Sequence, residues 1–453
     1  MTSSTTVRPG STGTVDAVVT TVAGSGIGGF GEDADGRAVH TRLHHPTGVT
    51  IDMARKILYI ADSGNHRVRR VHHGSITTVA GTGDPGFDGD GGPADAARVT
   101  TPTSVAVDHH GTLYIADTGN HRIRKVDTDG TITTVAGTGD PGFDGDGGPA
   151  NAARVTTPTS VAVDHHGTLY IADTGNHRIR KVDTDGTITT VAGAAEPGDS
   201  TSRGGFSEPV GVAVDRAGSV YVAERGAARV SRIGTTGLVT VIAGAGAASD
   251  RGSTRLSRPN GVAVDGRGAV YIADTGCHRI RKVTSGIVDS IAGTGSPGRG
   301  GVGGRAVLTP FDAPNGVALD EYGNMYVADT GSHRIRKIML FDRLLAISGD
   351  GQRPAPAAVF PRPLVVRVTL REGPVLAAPI TFAIVGDTTS GARFTESAST
   401  RTVVRTNLQG EAAVELTGGP MPGTVRVEAT LGTMVTTFTA AISTPKATSA
   451  SAR

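Results

Sequence analysis

Aspartate, histidine and arginine recur at fixed spacing in the stretch Tyr-Ile-Ala-Asp-Thr-Gly-Asn-His-Arg-Ile-Arg-Lys-Val, which occurs word for word at 114–126 and 170–182. An acid four residues ahead of an imidazole supplies the residue types that general acid–base catalysis uses. The same letters also suit a hairpin turn, because Asp and Asn accept backbone N–H groups and Gly tolerates positive φ. Near-identical copies at five places favour the turn, since a catalytic site needs one asymmetric constellation.

The repeated acid and imidazole are therefore predicted to be structural turn residues, and no residue is predicted to be catalytic. The predicted turn residues are Asp62, His66, Asp117, His121, Asp173, His177, Asp274, His278, Asp329 and His333.

Other acids lie in a long Gly-rich connection at 80–93 and in its copy. In a four-stranded meander the connections alternate between two rims, so these acids and the motif arginines are expected on one rim. There they offset each other's charge, and such exposed pairs stabilise a protein by only about 0 to 1 kcal/mol. The candidate binding rim comprises Asp88, Asp90, Asp144, Asp146, Arg122 and Arg178.

Calcium is the one cofactor that this connection suggests. Asp84, Asp88 and Asp90 fill the first, fifth and seventh places of a twelve-residue calcium loop. The third place is Gly86, the twelfth is Asp rather than Glu, two prolines intrude, and no helices flank the loop. The sequence therefore predicts no cofactor, with calcium as the weaker alternative, and it predicts that Phe87 tucks under the loop.

Adjacent histidines offer a second metal option. Their side chains are expected to diverge in a turn or an extended segment, so that both members of a pair cannot reach one ion. The pairs are His44-His45, His72-His73, His109-His110 and His165-His166.

The elements that must position these residues are short strands. Val105–Val107 and Leu113–Ile115 alternate with turn sequences, and 122–126 and 131–135 follow as two more strands. The unit recurs six times, with its acid at successive spacings of 55, 56, 51, 50 and 55 residues. A four-stranded unit cannot hide both faces alone, so it must stack on its neighbours, and radial stacking gives a propeller of four to eight blades. The fold class predicted is all-β, with six blades.

Three of the units contain the sequence motif of a known repeat. It is Tyr-Ile-Ala-Asp-Ser-Gly-Asn-His-Arg-Val-Arg-Arg from Tyr59, with close copies from Tyr114 and Tyr271. This pattern resembles NHL repeats, over about residues 15–350. The resemblance implies a six-bladed propeller that serves mostly as a binding platform, similar to bacterial members and to the propeller of teneurins. The fourth unit, from Tyr221 to Arg232, lacks the His, so its turn is expected to differ.

Seven candidate outer strands compete for six places. Either the N-terminal strand at 20–24 or the run Leu344–Ser348 completes the last blade. The N-terminal strand is favoured, because pairing the first and last segments in one sheet removes a free edge and ties both ends.

The C-terminal part changes character after the Pro-rich stretch at 351–362. Strand-like runs over 363–443 predict a small Ig-like sandwich, and the segment 405–416 resembles bacterial Ig-like domains of surface proteins. No cysteine pair is present to brace the sandwich, because the chain has a single Cys. Tails at 1–14 and 444–453 are predicted to be disordered.

The composition of the chain argues against several classes of function. A net charge of +2 supplies no field for nucleic acid or an anionic membrane, and few aromatic residues remain to stack sugars or bases. No apolar run is long enough for a transmembrane helix, and the N-terminus lacks the pattern of a secretory signal. The sequence favours a monomeric, non-catalytic binding or scaffold protein with a protein or cell-surface ligand, the extracellular placement resting on the Ig-like resemblance. A metal-dependent lyase or lactonase is the first alternative, and RNA binding is the second.

Overall fold

The structure is a computed structural model that describes residues 16–31, 36–193, 205–245, 255–301, 305–341, 343–370, 373–375, 378–385, 390–431 and 434–443. These residues form strands and short 3-10 turns, with no α-helix among them. The tails predicted at 1–14 and 444–453 lie outside the described residues. Contacts divide the chain into two compact units, one comprising Val19–Val302 with Ala306–Ile338 and the other formed chiefly by the residues from Met339 onward.

Six four-stranded antiparallel sheets carry the sequence repeats, and β1 (Asp16–Ala23) returns in the last of them. Sheet 1 is β2 (Gly48–Asp52), β3 (Ile57–Asp62), β4 (Arg67–His72) and β5 (Ser75–Ala80); sheet 2 is β6 (Pro102–Val107), β7 (Leu113–Asp117), β8 (Arg122–Val126) and β9 (Ile132–Ala136). Sheet 3 is β10 (Pro158–Val163), β11 (Leu169–Asp173), β12 (Arg178–Val182) and β13 (Ile188–Ala192); sheet 4 is β14 (Pro209–Val214), β15 (Val220–Glu224), β16 (Arg229–Ile233) and β17 (Val239–Gly244). Sheet 5 is β18 (Pro259–Val264), β19 (Val270–Asp274), β20 (Arg279–Thr284) and β21 (Ile287–Ala292); sheet 6 is β22 (Pro314–Leu319), β23 (Met325–Asp329), β24 (Arg334–Phe341) and β1.

The innermost strands β2, β6, β10, β14, β18 and β22 neighbour one another in cyclic order. Apolar residues on facing sheets are buried together, as Tyr59 of sheet 1 is with Val105 and Ile115 of sheet 2. The second strands produce this burial, because alternate residues point to opposite faces and both faces are covered: Leu113 and Ile115 of β7 pack toward sheet 1, and Tyr114 and Ala116 pack toward sheet 3. The all-β propeller prediction is confirmed.

In the part of the chain that the structure describes, eight three-residue 3-10 turns connect these strands. Five of them follow the second strand of a sheet and contain the motif residues, and three lie between sheets. They are Ser63–Asn65, Ala94–Ala96, Thr118–Asn120, Ala150–Ala152, Thr174–Asn176, Thr275–Cys277, Ala306–Leu308 and Thr330–Ser332.

The N-terminal strand β1 pairs with β24 and completes sheet 6, as the favoured alternative has it. The competing run becomes β25 (Arg343–Ser348) and pairs with β26 (Leu364–Leu370) instead. Leu344 of β25 is buried in the core of the C-terminal unit. The propeller therefore ends before the expected boundary at residue 350, because β25 pairs with β26 and buries Leu344 in the core of the C-terminal unit.

The C-terminal unit has two principal sheets and one shared apolar core. One sheet has β25, β26, β27 (Gly373–Pro374) and β31 (Glu411–Val414), and the other has β28 (Pro379–Val385), β30 (Arg401–Arg405), β33 (Gly423–Leu431) and β34 (Met434–Ile442). A short pair joins β29 (Arg393–Phe394) with β32 (Leu416–Thr417). The Pro-rich stretch predicted as a linker is part of this unit, because Phe360 lies in its core and Gln352 hydrogen-bonds the backbone of Arg362 in both directions at 2.8 Å.

Candidate functional site

The repeated acids lie at the ends of second strands, where each binds backbone of the segment that enters the same sheet. Asp117 is fully buried. Its Oδ1 accepts the Thr100 N–H at 2.7 Å, and its Oδ2 accepts the Asn120 amide at 2.8 Å. Burial raises the pKa of Asp117 to about 6, because a carboxylate loses its hydration there. The equivalent backbone bonds of Asp62, Asp173, Asp274 and Asp329 measure 2.7 to 2.8 Å.

A buried arginine lies against the acid. Arg124 is completely buried, with Nη1 3.6 Å from Asp117 Oδ2 and Nη2 2.6 Å from the Asp90 carboxylate. The copy in sheet 3 places Arg180 2.7 Å from Asp146. The sequence predicts Arg122 and Arg178 as the neighbours of these loop acids. The loop acids instead form ion pairs with Arg124 and Arg180, two residues further along each strand. These arginines point to the same face of the sheet as Arg122 and Arg178, but they are completely buried.

Arg122 has a different partner, the ring of Phe87, whose centroid lies 3.6 Å from the guanidinium carbon. The same stack joins Arg178 to Phe143 at 3.5 Å in sheet 3. In sheet 1, Arg67 stacks on Phe30 at 3.7 Å.

The sequence predicts that Phe87 tucks under its loop, and this is wrong, because the ring keeps 36% of its surface exposed while Arg122 covers one face. Phe143 and Phe30 are 41% and 44% exposed. These rings are functional candidates that sequence reasoning missed, although a Phe recurs in the Gly-rich connections.

Two of the three acids that the sequence suggests for calcium, Asp88 and Asp90, are paired with arginines. Asp88 accepts both the backbone N–H and the Nε–H of Arg98, at 2.7 and 2.6 Å. Asp90 binds Arg124 and also accepts the Thr134 hydroxyl at 2.6 Å. Asp84 alone of the three proposed ligands has no ion pair with an arginine in the described residues. Within those residues no group of three or more His, Cys, Asp or Glu is arranged to hold a metal ion.

The repeated imidazoles connect neighbouring sheets. His121 adopts a left-handed backbone with φ 51°, and its Nδ1 accepts the N–H of Thr157, at the entry to sheet 3, at 2.9 Å. An Nδ1 that accepts a hydrogen bond carries no proton and uses its lone pair in that bond, so the proton of the neutral ring is on Nε2. Neither nitrogen of His121 is then free to bind a metal ion. Burial lowers the pKa of His121, which favours this neutral form.

Four more copies of this bond occur, with N···N distances of 3.0 to 3.3 Å. They join His66 to Thr101, His177 to Glu208, His278 to Ala313 and His333 to His45.

Sheet 4 lacks this histidine, and Ala228 takes its place. The expectation that its turn would differ is confirmed, because no 3-10 turn follows β15 as one follows the second strand of the other five sheets, although Ala228 keeps a left-handed φ of 50°. What sheet 4 lacks is an imidazole acceptor for the N–H of Arg258, the residue that enters sheet 5.

Adjacent histidine rings do not diverge as expected. The rings of His109 and His110 lie 3.7 Å apart between centroids and are tilted by 44°. The turn after β6 brings both side chains to one side.

The six innermost strands enclose a channel of about 380 Å³. Every side chain that lines it is uncharged: Thr, Ser, Asn, Gly, Ala, Val, Ile, Leu or Met. The Thr103 hydroxyl donates to the Thr159 carbonyl at 2.8 Å, and that of Thr47 donates to the Thr103 carbonyl at 2.9 Å. These hydroxyls therefore join adjacent inner strands.

Family models match within the region of the six sheets. The teneurin NHL domain matches residues 78–142 and 139–203, and the NHL repeat matches residues 43–71, 256–283 and 311–338. Together with the sheet architecture, these matches identify the chain as an NHL-repeat β-propeller protein.

Relatives share only part of their length with it. Teneurin-4 of Mus musculus is 38% identical over an alignment of 161 residues, which covers 31% of this chain and 6% of teneurin-4. Protein SUPPRESSOR OF QUENCHING 1, chloroplastic, of Arabidopsis thaliana is 33% identical over an alignment of 154 residues, which covers 32% of this chain and 14% of that protein. A crystal structure of a protein of unknown function from Bacteroides thetaiotaomicron has a TM-score of 0.53 at 18% identity, over 72% of this chain and 76% of that one. This last likeness concerns the fold alone.

Among the described residues, no helix has the length and hydropathy needed to cross a membrane.

Proposed function

We propose that the chain is a non-catalytic binding protein whose six-bladed propeller presents its Phe–Arg rim to a protein ligand. The Phe–Arg rim comprises Phe30, Phe87, Phe143, Arg67, Arg122 and Arg178. The observation that carries the proposal is the row of three half-exposed rings, each on an arginine, on three consecutive blades.

Aromatic side chains, including Phe, and arginine are enriched in protein–protein interfaces relative to the rest of the surface. Here each ring is held in place before binding, because a guanidinium covers one face at 3.5 to 3.7 Å. The ligand therefore meets rigid apolar surface at a low cost in side-chain entropy. The nearby acids are paired with Arg98, Arg124, Arg154 and Arg180, so the rim has no strong field of one sign and favours a protein over a nucleic acid.

The groups that could act in catalysis are engaged elsewhere in the fold. Asp117 binds backbone, His121 accepts an N–H through Nδ1, and the channel is lined by uncharged side chains. These arrangements support binding rather than turnover.

The C-terminal unit is proposed to be an Ig-like sandwich that displays the propeller at a cell surface. Its support is the resemblance of segment 405–416 to bacterial Ig-like domains of surface proteins, together with two sheets around one apolar core.

The test is selection of binders from phage-displayed genomic fragments against the immobilised full chain. Binders should lose at least tenfold in affinity for Phe87→Ala/Phe143→Ala, because two anchors of about 1 kcal/mol or more each are removed. Tyr322→Ala is the matched control, since this Tyr is also exposed but lies in a different turn.

Equal binding by the rim variant and the wild type would contradict the proposed surface. Turnover of a small substrate with stoichiometric zinc or calcium would favour the lyase or lactonase alternative, and an affinity for RNA that falls steeply with salt would favour RNA binding.

A further inference from the structure

The junction between sheets 6 and 1 differs from the other junctions in its histidines. Sheet 1 has His44-His45 as the two residues immediately before Pro46. The corresponding residues of sheets 2 to 6 are Thr100-Thr101, Thr156-Thr157, Ser207-Glu208, Ser257-Arg258 and Asp312-Ala313. His44 and His45 meet the repeated His333 of sheet 6, and these three residues are called the histidine cluster. The ring centroids of His45 and His333 lie 4.6 Å apart, those of His44 and His45 4.8 Å, and those of His44 and His333 5.8 Å.

The rings of the histidine cluster have little room to move apart. A Cβ at Gly28 would lie 2.9 Å from Cε1 of His333, and a Cβ at Gly64 would lie 2.7 Å from the ring of His44. Both rings thus pack directly on backbone, where glycine leaves them space. His44 donates its Nδ1–H to the Gly64 carbonyl at 3.2 Å, and His333 Nδ1 accepts the His45 N–H at 3.2 Å. The second bond joins the last sheet of the ring to the first, across 288 residues of sequence.

Protonation of the cluster opposes both this bond and this packing. A protonated Nδ1 of His333 is a donor and cannot accept the His45 N–H. Positive charges on rings 4.6 to 5.8 Å apart repel each other, and the glycine contacts keep the rings from separating while the junction is closed. Burial lowers the pKa of His45 and of His333, and the neighbouring imidazoles lower it further. The closed junction therefore favours neutral rings.

Charged groups on the surrounding segments do not neutralise a protonated cluster. Within the described residues, the groups that act on it are Asp312 and Arg299 before sheet 6, and Asp62 and His66 of sheet 1. Asp312 raises the pKa of His45 and His333, whereas Arg299 lowers that of His333. Burial raises the pKa of Asp62 to about 6, so this carboxylate loses its charge in the same acidic range. One carboxylate, that of Asp312, then faces three imidazoles and an arginine.

The direction of the pH effect follows from the lowered pKa values of His45 and His333. Such an imidazole stabilises the closed state above its unfolded pKa of about 6.5, and this contribution is lost as the pH falls through the folded pKa. Separation of the sheets frees the rings to take up protons. Each proton taken up raises the equilibrium constant for opening by up to about tenfold per pH unit below that value. The other junctions have one repeated histidine each, or none after sheet 4, so their response to acid is expected to be less steep.

We infer that the histidine cluster is an acid-sensitive latch, which holds sheets 6 and 1 together while its imidazoles are neutral and releases them when they are protonated. In mildly acidic surroundings the ring then loosens first at this junction. The connection between β1 and β2, which contains Phe30 and contacts His333 through Gly28, becomes free to move. The latch does not depend on ligand binding at the Phe–Arg rim, so the two proposals can fail independently.

The experiment measures opening of single junctions by thiol labelling in a Cys277→Ser background. Ala328 is completely buried between sheets 6 and 1, and Ala116, its equivalent in the repeat, is completely buried between sheets 2 and 3. Ala328→Cys and Ala116→Cys are labelled with a pyridyl disulfide, which reacts at acid pH. Each rate is divided by that of an unfolded peptide thiol at the same pH, which gives the equilibrium constant for opening. Between pH 8 and pH 5 this constant should rise about tenfold more for Ala328→Cys than for Ala116→Cys, because opening of the cluster takes up at least one more proton.

The matched variant is His44→Thr/His45→Thr, which installs the residues that sheets 2 and 3 have at these positions. The backbone at position 45 suits this change, because Thr101 has the same φ of 47° as His45. The variant keeps Asp62 and the bond to His333, and its response to acid at position 328 should fall to that at position 116. His109→Thr/His110→Thr removes two stacked histidines from an exposed turn and should leave the response at position 328 unchanged.

Melting temperatures provide a second measurement that needs no introduced cysteine. Between pH 8 and pH 5 the melting temperature of the wild type should fall further than that of His44→Thr/His45→Thr. The latch is overturned if positions 328 and 116 respond equally to pH, or if His44→Thr/His45→Thr keeps the response of the wild type in both measurements.

Discussion

Replacing Asp117 by alanine tests whether the repeated acid has a structural role or a catalytic one. In Asp117→Ala the Thr100 N–H and the Asn120 amide lose their acceptor, and the buried Arg124 loses one of its two carboxylate neighbours. Hydrogen bonds to a charged group contribute about 1.5 to 3 kcal/mol each, and breaking a buried ion pair costs about 3 to 5 kcal/mol. Because one side chain makes all of these contacts, the costs do not add. We expect a loss of about 3 kcal/mol in the free energy of unfolding, at the low end since Asp90 still binds Arg124.

The assay is urea denaturation followed by far-ultraviolet circular dichroism, with hydrogen exchange of segment 113–126 assigning the transition to the propeller. Asp127→Ala is the control in the same sheet, where an exposed pair with Lys125 at 3.0 Å should be worth about 0 to 1 kcal/mol. If Asp117→Ala and Asp127→Ala are equally stable, the acid does not hold the turn and the structural interpretation is refuted.

Three further predictions concern the histidines and the loop acids. His121→Ala should destabilise the protein at pH 8 by about 1 kcal/mol, and the difference from wild type should shrink toward pH 5. The pKa of His121 lies below its unfolded value of about 6.5, so its contribution is present above that pH and is lost as the pH falls through the folded pKa. The buried Asp117, with its pKa raised to about 6, makes stability depend on pH in the opposite direction. This contribution is present in both the wild type and His121→Ala, so it cancels when their free energies of unfolding are compared. A difference in stability that stays constant with pH would contradict the role of Nδ1 as a hydrogen-bond acceptor. Ala228→His should supply the missing acceptor to the N–H of Arg258 and raise stability by roughly 0.5 to 1.5 kcal/mol, and an unchanged melting temperature would count against it. Millimolar calcium should leave the melting temperature unchanged, because Asp88 and Asp90 bind arginines; a rise that Asp84→Ala removes would restore the calcium alternative.

Strand alternation and repeat spacing predicted the sheets closely. The strands expected at Val105–Val107 and Leu113–Ile115 lie within β6 and β7, and the strand expected at 122–126 is β8. Period-two patterning is a local property, and near-identical copies leave little freedom in how the units stack. The preference for the N-terminal strand in sheet 6 followed from the same reasoning about open edges.

The local sequence pattern did not predict which residues contact each other across the fold. Arg122 and Arg124 lie on one face of β8, yet one stacks on an exposed ring while the other is buried against Asp117 and Asp90. The difference comes from where a loop more than thirty residues away in sequence folds back. Likewise, the acceptor role of His121 depends on Thr157 of the next sheet.

The sequence by itself determined that this protein is a ring of repeated four-stranded sheets, because the spacing of the apolar residues and of the turn residues repeats along the chain. Only the tertiary structure decided which polar groups remain available. The rim acids and the repeated imidazoles are engaged with distant partners, whereas three phenylalanine rings remain 36% to 44% exposed. That division depends on contacts between segments far apart in the chain, where geometry rather than residue type selects the partner.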